Sequence, residues 1–334
     1  MIGNSPMNSE NDPEKSADSE ATKPQPFYRS WFINRFDHLR ALWRIALLLI
    51  ITVLLAIAFG WVVKHIPYPD EGDALVTWEE FGTRGATLIA MILAAFIMLR
   101  WIDRRPIKLL GLALLDGWKR DFAIGLIIGM GMISLTLVIL WAGDWVTLSL
   151  NELTLALLGA LTKALLLFFV AALMEELLLR GYIFQAFIEG SRVWIALILL
   201  SLLFSMAHLY NPDSTIPSSL NIFLAGVLLS VCYLKTRSLW LPTGLHLGWN
   251  WMQASFWGMG VSGYHVKWSV FTAEAQGANW ISGGNFGAEA SIFATIVISV
   301  GTYFIWQSRR LGATQALETA WEVYPKGYGR SPKR

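Results

Sequence analysis

A chain of 334 residues that is 55% hydrophobic and only 15% charged, with a mean hydropathy of +0.49, differs from a soluble domain, which carries about 25% charged residues. It reads as an all-α, polytopic membrane protein. The formal charge of +2 says little, because the distribution of cations matters more than their sum, and no basic stripe interleaved with aromatics points to nucleic acid.

The single cysteine, Cys232, leaves no intrachain disulfide and no cysteine-based metal cluster, and in its apolar run it reads as a small buried hydrophobe. Residues 1–30 are rich in Ser, Glu, Asp, Asn, Lys and Pro, and are expected to form a disordered cytoplasmic tail. No cleavable signal peptide is expected ahead of the first apolar run. Trp31, Phe32, Arg35, Arg40 and Arg44 read as aromatic and basic anchors approaching the membrane. A membrane domain is expected over 31–310 and a second cytoplasmic tail over 311–334. Its closing Ser-Pro-Lys-Arg is not expected to be prenylated.

Taking about 20 residues per spanning helix, we count eight apolar runs: 41–63, 83–102, 121–143, 154–175, 193–209, 218–235, 240–258 and 289–307. Pro242, Gly244, Gly248 and Gly258 interrupt the seventh, which is tolerated where neighbouring helices or a wet cavity satisfy the backbone. Arg104, Arg105, Lys108, Lys119 and Arg120 crowd the 102–120 loop, whereas 64–82 holds Lys64 against Asp70, Glu71, Asp73, Glu79 and Glu80. Lys235 and Arg237 mark the 235–239 link, and 144–152 and 210–217 hold no cation. This alternation sets both termini in the cytoplasm. The loop 259–288, with Tyr264, Trp268, Trp280 and Phe286, then faces out, as an aromatic-anchored interfacial loop or as a lid.

Chemistry concentrates at Leu173-Met-Glu-Glu-Leu-Leu-Leu-Arg-Gly181. Ionisable groups inside a membrane segment cost roughly 2.5–3.5 kcal/mol each and mark functional sites by default. Glu176 and Arg180 are four apart, acid first, and form an ion pair on one helix face, while Glu175 points about 100° away and can face a cavity. The bland alternative is a charged cluster snorkelling to water. Phe204 and His208 share a face by the same spacing, as do His246 and Asn250. Each pair alone suits a hydrogen-bonded structural group; three such groups on three spans suit a site. With a turn at Glu189, Gly190 and Ser191, Glu175 and His208 come to similar depth, provided helix four runs on through Tyr182 to Phe187. His246 joins them if the hairpin of helices four and five protrudes into the cytoplasm, or if helix seven starts inside the membrane, which Pro242 and Gly244 allow.

In this order, Glu-Glu-x-x-x-Arg, Phe-x-x-x-His and His-x-x-x-Asn resemble the CAAX prenyl protease and bacteriocin-processing (CPBP, or Abi) family of intramembrane proteases. The likeness runs from Glu175 to Asn250. It implies a catalytic core over about 154–258, with Glu175 activating water, His208 as its partner, and His246 and Asn250 stabilising the oxyanion. Glu176, Arg180 and Phe204 would support them. It also implies a membrane-associated peptide or protein as substrate, in the plasma (inner) membrane of a bacterium. Glu175, His208 and His246 are a two-His, one-carboxylate set that could hold zinc, and a metal-free glutamate mechanism is equally open. The alternatives are a proton-coupled transporter, disfavoured by the lack of an internal repeat, and a non-catalytic scaffold, which has no need for all the polar groups.

Overall fold

The computed structural model of the protein describes residues 31–34, 39–68 and 77–322. The tail over 1–30, the end of the tail over 323–334, Arg35, and the acids Asp70, Glu71 and Asp73 lie outside them. Contacts divide the chain at Arg40. In the first unit, Ile33 bridges to Leu39 and the Arg40 N–H donates to the Phe32 carbonyl at 2.8 Å.

The second unit is helical, apart from one β-ribbon. Helix α1 spans Ala41–Lys64. Helix α2, Trp78–Ile97, starts where Thr77 Oγ1 accepts the Glu80 N–H, with Glu79 and Glu80 in its first turn, and it runs into a π turn at Met98–Ile102. An acid near a helix N-terminus is favoured by the helix dipole. Helix α3 is Trp118–Ala142. Helix α4, Leu155–Glu176, is capped by Thr154 and continues through a π turn at Leu177–Ile183 into α5, Phe184–Gly190. Helix α6 is Val193–Ala207. A capping box of Thr215 and Ser218, with a proline in the first turn, opens α7, Ile216–Thr236. Helix α8, Trp240–Trp251, ends in a π turn at Met252–Phe256. The short α9, Asn279–Ser282, precedes 3-10 turns at Gly284–Phe286 and Ala288–Ala290. Helix α10, Ile292–Gln307, is capped by Ser291, and α11 is Gln315–Glu322.

Five of these stretches are long and apolar enough to cross a membrane: Ala41–Lys64, Trp78–Ile102, Trp118–Ala142, Leu155–Glu189 and Ile216–Thr236. The remaining three expected runs take other forms. Val193–Ala207 and Ile292–Gln307 are shorter apolar helices, and the seventh run is α8 with its π turn. Helix four does continue past Glu176, and the chain turns at Ser191 as expected.

An unexpected feature is the antiparallel pair β1 (Val146–Leu150) and β2 (Phe271–Ala275), in register Val146 to Ala275 and Leu150 to Phe271. The ribbon fastens the 259–288 loop to the end of α3.

Glycines decide where α8 lies. A Cβ on Gly125 or Gly129 of α3 would stand 2.2 or 2.1 Å from the carbonyl oxygens of Leu241 and Leu245. One on Gly244 or Gly248 of α8 would stand 2.2 or 2.3 Å from those of Phe122 and Leu126. Two small-x-x-x-small faces thus bring the backbones into contact, as small residues do between membrane helices. On α8, residue 246 is about 200° around the helix from residue 244. Burying the glycine face on α3 therefore turns His246 toward α4.

Arg44 anchors α1, which is otherwise largely exposed. It is 1% exposed and donates to Glu189, to Asp103 at 2.5 Å and to the Tyr182 hydroxyl at 3.0 Å. Arg105 lies 3.2 Å from Glu189. Two arginines and two carboxylates thus neutralise one another, which buried charges require. Burial raises the Asp103 carboxyl above its ordinary range, with Arg44 and Arg105 pulling it back.

Candidate active site

Glu176 ends α4 just before the π turn, a helix defect frequent at functional sites. It and Arg180 are 0% exposed and pair at 3.1 Å, as the spacing predicts. Arg180 reaches further. Its Nη2 donates to the Gly226 carbonyl at 3.0 Å and its Nε to Ser230 Oγ at 3.4 Å, both on α7. Its guanidinium carbon also sits 4.8 Å from the Phe204 ring centroid, within cation–π range. One cation so ties α4, α6 and α7 together.

Glu176 has a second partner that the sequence did not indicate. The same Oε1 accepts from His246 Nδ1 at 3.0 Å. A carboxylate on one ring nitrogen fixes the orientation of the imidazole and leaves the other nitrogen to do chemistry. That other nitrogen, Nε2, stands 3.8 Å from Glu175 Oε2. Glu175 behaves as its position on the helix predicts: its side chain is 38% exposed and lines the cavity, although Oε2 itself is shielded and has no hydrogen-bond partner among the described residues.

The cavity is about 760 Å³ and is lined by Glu175, Phe204, His208, His246 and Asn250 together. The three sequence motifs therefore do converge, and Trp240 through Trp249 of α8 are buried within the protein. His208 caps the C-terminus of α6 and donates from Nδ1 to the Phe204 carbonyl at 2.7 Å, which leaves Nε2 available. The Phe204 ring makes edge contacts with both imidazoles, at 4.7 Å to His208 and 6.1 Å to His246. The Asn250 side chain, one turn beyond His246, makes no hydrogen bond among the described residues. The imidazole that closes on Glu175 is that of His246; His208 faces the same chamber from another wall.

The expected zinc set of Glu175, His208 and His246 is not drawn together as a ligand group: no three His, Cys, Asp or Glu side chains among the described residues are. The carboxylate of Glu176 on His246 Nδ1 leaves Nε2 as the nitrogen of that ring that could bind a metal.

Sequence reasoning missed part of the wall. Leu167, Phe168 and Ala171 of α4, Leu203 and Ala207 of α6, and Ile222 and Leu229 of α7 make most of the chamber apolar. Glu80 and Arg84, an ion pair at 2.7 Å, stand on it too. The 259–288 loop supplies Val261, Ser262, Tyr264 and His265, and Glu289 follows just before α10. Glu289 lay inside the eighth apolar run, and an ionisable group there was a signal. Burial raises its carboxyl above the ordinary range, against two donors from Ser262.

Residues 157–252 match the family model described as type II CAAX prenyl endopeptidase Rce1-like. The stretch is similar to that family. It contains all three motifs and nearly all of α4 through α8, less than a third of the chain, and it bears out the family resemblance drawn from those motifs. The Rce1-like segment ends before the loop and Glu289. No curated protein and no solved structure gave a significant match.

Proposed function

We propose that the protein is an intramembrane endopeptidase that hydrolyses a peptide bond in a membrane-associated peptide or protein. The observation that carries this is the facing of Glu175 Oε2 and His246 Nε2 at 3.8 Å on a cavity shared with His208 and Asn250. That gap is too long for a direct hydrogen bond and short enough for one water to bond to both groups. Glu175 takes a proton from that water as its oxygen attacks the carbonyl carbon. Asn250, with the imidazoles, stabilises the oxyanion that forms. The proton then passes from Glu175 to the amide nitrogen as the C–N bond breaks, giving an acid and an amine. Glu176 holds His246 throughout. In a largely apolar chamber such fixed donors are worth more than in water, and losing one costs about 10²–10³ in kcat. Apolar walls also suit a substrate that enters from lipid.

The loop charges support a multi-pass chain with both termini in the cytoplasm, and the family likeness supports the plasma (inner) membrane of a bacterium. The test is cleavage of a panel of membrane peptides by the purified full chain in detergent. Glu175→Gln is expected to abolish cleavage and keep the fold. Full activity in that variant refutes the base assignment. Cleavage that is lost with a chelator and restored by zinc would overturn the water activation by Glu175 and His246 alone.

A further inference from the structure

Two residues outside the Rce1-like segment, Ser262 and Glu289, join the roof of the chamber to Asn211, three residues after His208. The loop reverses at Val261-Ser262-Gly263-Tyr264, where Val261 and Tyr264 exchange backbone hydrogen bonds at 2.8 and 2.9 Å. Ser262 and Gly263 both have positive φ, 49° and 85°, the pattern of a type I′ hairpin turn. That conformation is unfavourable for serine and persists where the surroundings over-determine it. Here they do. Glu289 Oε2 accepts from the Ser262 N–H at 2.6 Å and from its hydroxyl at 3.0 Å. The Ser262 carbonyl in turn accepts from Asn211 Nδ2 at 3.0 Å. Glu289 is itself fixed, because its carbonyl accepts from Asn221 Nδ2 of α7 at 2.7 Å.

His208 needs such support. It sits where α6 has already ended, and its hydrogen bond to Phe204 is local. The chain from Glu289 through Ser262 to Asn211 reaches it from the far side of the chamber, three residues along. We propose that Glu289, Ser262 and Asn211 form a latch that positions His208 in the chamber and holds the loop over it. Its effect on turnover rests on the hydrolase reading; its geometry does not.

The test uses the full-length protein in detergent micelles with diethyl pyrocarbonate as the probe, and reads the modification rate of each histidine by mass spectrometry. His65, exposed just past the end of α1 and not on the chamber wall, is the internal reference. Glu289→Ala is expected to raise the His208 rate about fivefold, the population change that goes with losing a hydrogen bond of ordinary net strength. Glu289→Gln keeps an oxygen that accepts both Ser262 donors, and should stay near wild type. Ser262→Ala removes one donor, should give a smaller rise, and replaces Glu289→Ala if that variant does not fold. An unchanged His208 rate overturns the latch, and so does a Gln variant as reactive as the Ala variant. These readouts need no cleavage, so a failure to find a substrate counts against the hydrolase reading alone. On a peptide that the wild type cleaves, Glu289→Ala should lower kcat with KM little changed, and should add nothing in a His208→Ala background. An equal loss in that background overturns the positioning role.

Discussion

Replacing Glu176 and Arg180, singly and together, separates what their pair does for folding from what it does for His246. Both are 0% exposed. Removing either alone strands a buried charge, which costs about 3–5 kcal/mol. In Arg180→Met the Gly226 carbonyl keeps its donor, because Ser230 Oγ also bonds to it at 2.8 Å; the cost is then mainly the orphaned Glu176. In Glu176→Leu the cost is the orphaned Arg180, plus about 1–3 kcal/mol for a His246 N–H without an acceptor. The double variant strands no charge. It should lie only about 1–3 kcal/mol below wild type, the His246 term alone, well short of the two single losses added together. Unfolding by heat or detergent titration reads this directly. Activity should not follow stability. A carboxylate that fixes a histidine's tautomer is worth about 10⁴-fold in a Ser-His-Asp site, so the double variant should fold and stay inactive. A double variant as unstable as the sum of the singles, or one that regains cleavage, refutes the division of roles.

The remaining predictions concern packing and charge. Gly248→Ala puts a methyl 2.3 Å from the Leu126 oxygen and should cost about 1–3 kcal/mol or more, whereas Gly131→Ala meets nothing within 4 Å and should be neutral or stabilising. Equal melting temperatures for the two variants would refute the close approach of α3 and α8. Arg44→Met leaves Asp103 and Glu189 facing each other with less cation and should cost about 3–5 kcal/mol; a melting temperature equal to wild type would refute the anchoring of α1. The raised carboxyl of Glu289 means that the folded state holds its proton more tightly than the unfolded chain does. Its contribution to stability is therefore lost as pH rises from the ordinary glutamate range through the raised value. Melting measured against pH should show that decline in the wild type and a shallower one in Glu289→Gln; identical slopes would refute it.

Much of the site was legible because helical spacing is local physics. Four-residue steps put Glu176 with Arg180, Phe204 with His208 and His246 with Asn250, and the 100° offset turned Glu175 to the cavity. Helix α8 was harder to read. Its glycines looked like interruptions until their counterparts at Gly125 and Gly129, over a hundred residues away, explained them. The bond from Glu176 to His246 spans 70 residues, and no local pattern marks it. The β-ribbon was missed for a similar reason, since Val146–Leu150 is a strand only because Phe271–Ala275 lies beside it.

By itself the sequence determined that the chain is helical and membrane-embedded, and which polar side chains share a helix face, because both follow from composition and a 3.6-residue period. Only the tertiary structure decided which imidazole meets Glu175, and that a third carboxylate closes the chamber. Those pairings depend on where one helix crosses another. Backbone contact between glycine faces and the reach of one buried arginine fix those crossings, and neither is written in any single stretch of the chain.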